Sequence, residues 1–200
     1  MKKKIKLGNI VAGCKANNPL NQRQLYDNFC GMVMGVALRY TQNQNDAEDL
    51  VQEVFIKVFT RINSLRDEKL LPSWIKTVAT NTALDFLRAK NQQIVPLDET
   101  CNEIQDVSCE KYDGIPAQKL LQFVQELPTG YRTVFNLCAI DGYPYEEVAQ
   151  MLGCTNSTVR SQLFKAKKAL KIVLLDTLEI SPSTSIKLFN EISIFSLKYK

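Results

Sequence analysis

Residues Tyr145–Leu170 read YEEVAQMLGCTNSTVRSQLFKAKKAL, two helical patterns hinged on one glycine. In the first, Tyr145, Val148, Ala149 and Leu152 recur on one face. Gly153 permits a tight turn, because a residue without a Cβ adopts positive φ at little cost. In the second, Val159, Leu163, Ala166 and Leu170 make the inward stripe. The pair reads as a helix-turn-helix. Opposite that stripe stand Ser157, Arg160, Ser161, Phe164, Lys168 and Lys171, flanked by Lys165 and Lys167. Between Asn156 and Lys171 there are five basic residues and no acidic one. A solvated helix ordinarily mixes signs to gain intrahelical pairs, so one-signed charge points to a polyanion. Phe164 sits on the polar face, where a base edge or thymine methyl would give an aromatic ring a partner.

In this motif the early turns of the second helix face bases and its basic residues neutralise phosphates. Arg160, Ser161 and Phe164 are therefore assigned to base readout, and Lys165, Lys167, Lys168 and Lys171 mainly to phosphate. The competing reading is a surface helix of an ordinary bundle. Gly153, the short first helix and the charge bias weigh against it.

Upstream, GYRTVFNLCAID and AQKLLQFVQEL, the latter stopped by Pro128, complete a C-terminal helical domain, residues 116–176. Before it, Ile94 to Ile115 carry Pro96, Gly114 and six acidic residues against the single Lys111. Such a stretch buries too little apolar surface to order itself and reads as an acidic linker, residues 94–115. Its acidity either keeps it extended and soluble or mimics nucleic acid in a basic channel.

The N-terminal domain, residues 21–93, is also helical. Gln24 to Arg39 form one helix, and Asn43 to Asp46 a polar turn able to cap the next. DAEDLVQEVFIKVFTRI then sets Leu50, Val51, Val54, Phe55, Val58 and Ile62 on one stripe. A polar loop from Asn63 to Leu71 leads to the helix-start signal Pro72-Ser73. SWIKTVATNTALDFLRAK follows, with Ile75, Val78, Ala79, Thr82 and Phe86 inward and a largely polar line of Thr77, Asn81, Leu84 and Arg88. The acidic cluster Asp46, Glu48, Asp49 and Glu53 fits a dipole-favoured first turn as well as a docking face. Trp74 fits a core position as well as a stacking platform. Residues 1–20 read as an N-terminal tail and 177–200 as a C-terminal tail. The fold class is all-α, two small helical domains joined by a flexible linker.

The formal charge of +4 is a weak hint of an anionic partner. The six cysteines have no CxxC spacing and the chain has no histidine, so no metal or other cofactor is expected and the thiols are read as reduced. The opening MKKKIKLGNIVAG is too short and broken for a signal or membrane span, which points to a cytoplasmic protein without membrane insertion. With no histidine and no phosphate-cradling glycine loop, acid-base work would fall to unsupported carboxylates, so an enzyme is not expected.

Taken together, the sequence resembles a bacterial sigma factor of the sigma-seventy family, in the compact extracytoplasmic-function group, over about Leu25 to Val173. DAEDLVQEVFIKVF resembles the region-two helix that docks on the clamp of the RNA polymerase largest subunit. WIKTVATNTALDFLR resembles the segment that recognises and melts the minus-ten element. LPTGYRTVFNLCAIDGYPYEEVAQMLGCTNSTVRSQLFKAKKAL resembles region four, which reads the minus-thirty-five element. The resemblance implies polymerase contacts at Asp46, Asp49, Leu50, Gln52 and Glu53. It implies minus-ten contacts at Ser64, Trp74, Thr77, Asn81, Arg88 and Lys90, with the loop Ser64 to Leu71 capturing a flipped base. Upstream-element contacts fall on Asn156, Ser157, Thr158, Arg160, Ser161, Phe164, Lys165 and Lys168.

The implied partners are core RNA polymerase, through that clamp and the flap of the second subunit, promoter DNA, and the anti-sigma factor that this group commonly has. The chain departs from the family in its apolar C-terminal tail and in having Lys165 and Lys167 where arginine is frequent, which weakens bidentate guanine readout. It has no region-three domain, as in the rest of the compact group. The expected function is a non-enzymatic initiation factor that directs core polymerase to promoters. The alternatives are a stand-alone helix-turn-helix regulator and an adaptor binding protein only.

Overall fold

The computed structural model describes residues 7–90 and 117–178, all of the regular structure among them helical. The acidic linker, residues 1–6 of the N-terminal tail and residues 179–200 of the C-terminal tail lie outside the described residues. The chain divides into two compact units, Met1–Lys90 and Asn91–Lys200.

The first unit holds α1 (Leu7–Lys15), α2 (Pro19–Tyr40), α3 (Gln44–Arg61) and α4 (Leu71–Ala89). Two short 3-10 turns, Ile62–Ser64 and Glu68–Leu70, bridge α3 and α4. Helix α1 corrects the expectation of a tail over residues 1–20: its Ile10, Val11 and Cys14 are buried against the unit. Helix α2 starts at Pro19 rather than Gln24, because Asn18 Oδ1 accepts from the Leu20 N–H at 2.9 Å and proline presets the first helical φ. Asn43 caps α3 as the sequence suggests, its Oδ1 accepting from the Asp46 N–H at 2.8 Å.

The predicted α3 stripe from Leu50 to Ile62 is wholly buried. It packs on Leu25, Phe29 and Val33 of α2 and on the inner face of α4. On α4 the reading needs correction. Leu84, expected on the polar line, is 2% exposed, and Phe86, expected inside, is only half-buried. Because α4 packs against both α2 and α3, its buried arc is wider than one stripe and takes in Thr80, Ala83, Leu84 and Leu87. Phe86 is left at the rim, with Lys90 Nζ 4.7 Å from its ring centroid.

The same lysine ties the ends of α3 and α4 together. Lys90 Nζ donates to Asp46 Oδ1 at 2.7 Å, and Asn43 Nδ2 donates to Asp46 Oδ2 at 2.9 Å. The Lys90 hydrogen bond, aided by Asn43 and the ammonium charge, outweighs partial burial and holds the Asp46 carboxyl below its ordinary pKa.

The second unit holds α5 (Ala117–Glu126), α6 (Thr129–Phe135), α7 (Tyr145–Leu152) and α8 (Asn156–Leu178). Helix α6 passes into a π-helical turn, Asn136–Ile140, closed where the Asp141 N–H donates to the Asn136 carbonyl at 2.8 Å. Val134, Phe135 and Leu137 meet Val159, Leu163, Ala166 and Leu170 of α8 to make the core. Arg132 is fully buried, its Nη1 donating to the Gln125 carbonyl at 2.8 Å across the α5–α6 corner. Its Nε and Nη2 have no hydrogen-bond partner among the described residues, and burial lowers its pKa.

Two outcomes are expected in equilibrium urea unfolding. Leu50→Ala destabilises the first unit by about 2–5 kcal/mol, as for any large aliphatic deletion in a packed core. Asp46→Asn lowers the midpoint at neutral pH. Because the folded carboxyl has the lower pKa, its stabilisation is complete above the ordinary value of about 4 and is lost as pH falls through the folded value. The gap between Asp46→Asn and wild type should therefore close in acid, and a gap that is constant across pH would refute the pairing.

Candidate nucleic-acid interface

In the second unit, Gly153 stands at φ 67°, the left-handed conformation that glycine enters without steric penalty. Its N–H bonds back to α7, and the Cys154 N–H donates to the Ala149 carbonyl at 3.0 Å, closing a Schellman-type cap. Two residues later α8 begins. Thr155 Oγ1 accepts from the Thr158 N–H at 3.2 Å and lies 2.8 Å from Ser157 Oγ and 2.9 Å from Thr158 Oγ1. Asn156 Nδ2 donates to Glu146 Oε1 at 3.3 Å, tying the start of α8 to the first turn of α7. Of the predicted upstream set, Asn156, Ser157 and Thr158 are thus engaged in building the corner.

Beyond the corner, Arg160, Phe164 and Lys168 are exposed, and Ser161, Lys165, Lys167 and Lys171 are half-buried around them. They share one side of α8, opposite Val159, Leu163, Ala166 and Leu170. The Arg160 guanidinium stands 5.6 Å from the Tyr145 ring centroid, so an α7 aromatic pre-orients it. Phe164 is 36% exposed, a large apolar surface amid cations. Nearby thiols are poor nucleophiles: burial pushes Cys138 up to about 12, against a small opposing pull from Lys167, and also raises Cys154.

In the first unit, α3 presents Asp49, Gln52 and Glu53 outward. Leu50 does not join them, since it is 1% exposed and belongs to the core. Resemblance to a docking helix carries the residue over without showing which way it faces. Asp46 and Lys90, assigned to polymerase and to DNA, bind each other. Ile56, which the sequence reading passed over, is 66% exposed one turn beyond Gln52 and Glu53. It lies off the Leu50–Ile62 stripe, and the reasoning that singled out Phe164 would have found it.

On α4, Trp74, Thr77, Asn81, Asp85 and Arg88 follow each other at three- and four-residue spacing on the outer side. Trp74 is half-buried and the other four are exposed. Charges along this side are internally paired. Arg88 Nη1 lies 3.0 Å from Asp85 Oδ1, and Lys57 Nζ bridges Asp85 Oδ2 at 3.6 Å and Glu53 Oε1 at 2.8 Å. Ser64 stands exposed in the first 3-10 turn, its Oγ donating to the Arg61 carbonyl at 2.8 Å. No helix among the described residues is long and apolar enough to cross a membrane.

Comparison with known proteins is consistent over both units. Residues 25–93 match the family Sigma-70 region 2, and residues 117–170 match Sigma-70, region 4. RNA polymerase sigma factor SigV of Bacillus subtilis is 33% identical over 139 residues, covering 70% of this chain and 82% of that protein. The ECF RNA polymerase sigma-E factor of Haemophilus influenzae is 28% identical over 159 residues, covering 74% and 84%. The fold resembles a solved structure of the sigma factor RpoE in complex with the anti-sigma factor NepR from Bartonella quintana. There the TM-score is 0.50 at 22% identity, covering 76% of this chain and 95% of that one. With a helix-turn-helix bearing a one-signed outer face in one unit and an acidic helix beside an aromatic and amide line in the other, the chain belongs to the sigma-70 family, as a transcription initiation sigma factor of the extracytoplasmic-function group that binds core RNA polymerase and promoter DNA.

Proposed function

We propose a division of labour between the two units. Asp49, Gln52 and Glu53 of α3, with Ile56 as an apolar anchor among them, dock on the clamp of the polymerase largest subunit. Trp74, Thr77, Asn81 and Arg88 of α4 face the minus-ten element, and the loop Ser64 to Leu71 takes up an unstacked nontemplate base. In the second unit Arg160, Ser161 and Phe164 read the minus-thirty-five element while Lys165, Lys167, Lys168 and Lys171 neutralise phosphate. Asn156, Ser157 and Thr158 hold the reading helix in place, and the flap of the second polymerase subunit is the docking site for this unit.

The chain acts in the cytoplasm without chemistry of its own. Melting draws on binding energy, as in other cases where a base is held outside the stack. The Bartonella fold neighbour was crystallised with an anti-sigma factor, and a partner of that class covering the polymerase-binding faces is part of the proposal.

The observation that supports this reading most is the outer face of α8 between Asn156 and Lys171, which carries cations, a pre-oriented arginine and an exposed phenylalanine without one carboxylate. In vitro transcription with purified core polymerase on a genomic promoter library tests the whole. Specific start sites that depend on this protein are expected; none, together with failure to co-purify with core, overturns it. A narrower test concerns readout. Arg160→Ala should weaken upstream-element recognition by about 1–3 kcal/mol and relax preference at one base pair. Tyr145→Leu should give part of that loss by releasing the guanidinium. Equal losses on all sequences would place Arg160 on phosphate.

A further inference from the structure

The loop between α3 and α4 displays Ser64, Arg66, Asp67, Glu68, Lys69 and Leu70 to solvent. Within it, Asp67 Oδ1 accepts from the Lys69 N–H at 2.9 Å, and the Leu70 N–H donates to the Asp67 carbonyl at 3.1 Å. These bonds shape each short turn without fixing the loop to the rest of the unit. One tie comes from far away in sequence: Lys15 Nζ, at the last residue of α1, donates to the Leu65 carbonyl at 2.7 Å in a part-buried setting. At the loop's other end Ser73 Oγ of α4 donates to the Leu70 carbonyl at 2.9 Å, so Lys15 is the tie at the Leu65 end. A charged donor on a sheltered carbonyl is the stronger kind of hydrogen bond.

Helix α1 is itself seated tightly enough to act as a support. A Cβ added at Gly13 would stand 2.1 Å from Asn21 Oδ1 and 2.7 Å from Asn21 Cβ, so α1 approaches α2 as closely as only glycine permits. The Asn18 N–H donates to the Gly13 carbonyl at 2.9 Å, and Asn17 turns the chain in the left-handed region at φ 55°. At the other end of α1, Gly8 lies against Glu68 of the second 3-10 turn, with a Cβ there only 3.0 Å from Glu68 Oε1. The helix therefore runs along the loop from one turn to the other. It lies wholly before residue 25, where the region-2 match begins.

We propose that α1 is a brace for base capture and that Lys15 is its positioning residue. It holds the Leu65 carbonyl so that the exposed loop is preformed before DNA arrives. This rests on the reading of Ser64 to Leu71 as the loop that takes up the flipped base. A preformed loop spends less binding energy on its own ordering, and the difference is available to discriminate between bases.

The test uses the full chain and its holoenzyme. Lys15→Met keeps the apolar stem and removes the donor, while Lys15→Arg restores a donor. Lys15→Met should speed amide hydrogen exchange across residues 65–70 in the free protein. In holoenzyme it should reduce the preference between promoters differing at one nontemplate minus-ten base by about three- to tenfold, the range a net hydrogen bond supplies. Core affinity and upstream-element dependence should not move, and Lys15→Arg should recover the preference. Unchanged exchange, unchanged base preference, or a loss spread equally over all promoters overturns the brace. Loop variants Arg66→Ala and Leu70→Ala separate the two ideas. If they shift base preference while Lys15→Met does not, the base-capture reading stands and the Lys15 inference falls. If neither they nor Lys15→Met alters base preference on an active promoter, the base-capture reading is wrong and the brace falls with it.

Discussion

Burial of one side of α3, α4 and α8 is the constraint from which the outer surface follows. Once Val159, Leu163, Ala166 and Leu170 are committed to the core, Arg160, Phe164 and Lys168 have no choice of direction. Once Leu50, Val54 and Val58 are inside, Asp49, Gln52, Glu53 and Ile56 are outside together. Core stability and interface geometry are thus one property. A deletion such as Leu50→Ala changes only the buried side, yet it loosens the helix whose other side is proposed to fit a polymerase surface.

The second unit pays a polar cost for its shape. Fully buried Arg132 satisfies the Gln125 carbonyl at the α5–α6 corner but leaves two nitrogens without partners among the described residues, and buried Gln162 on α8 is in the same position. Groups of this kind are destabilising when dry and unpaired. They sit between the helices that hold the reading helix, and a π-helical turn follows Arg132 in the same stretch. Irregularity and unsatisfied polarity concentrate where α6 and α8 are packed, not on the outer face.

What could be read in the sequence is what has a period. The stripes of α3 and α8, the Gly153 turn, the Asn43 cap and the stop at Pro128 all rest on local rules, and the structure places each as read. What could not be read depends on a second element. Helix α1 has nine residues, two of them glycine, too short to show a convincing stripe; it is a helix because α2 and the 62–70 loop cover it. Leu84 and Phe86 exchanged places because α4 touches two neighbours, which no single-helix pattern encodes. Leu50 was assigned to a contact by family position, although its own spacing already placed it inside. The Lys15 bond to Leu65 spans fifty residues and has no local signature at all.

Charge is distributed differently in the two units, and this separates their roles physically. On α8 the cations stand without carboxylates of their own helix between Asn156 and Lys171, so their field is open to a phosphate backbone. On α3 and α4, Lys57, Arg88 and Lys90 are paired with Glu53, Asp85 and Asp46. In the proposed reading the first unit adds an amide at Asn81, a hydroxyl at Thr77, the Trp74 ring and a loop that also exposes Arg66 and Lys69. Two weak contributions of different kinds gain strength when polymerase holds both on one promoter, since the second contact is then intramolecular. As proposed, base capture by the 64–71 loop and upstream anchoring by an open cationic face complement each other for that reason. In the proposed division of labour, one supplies selectivity at the melting site and the other salt-dependent attraction that brings DNA to it.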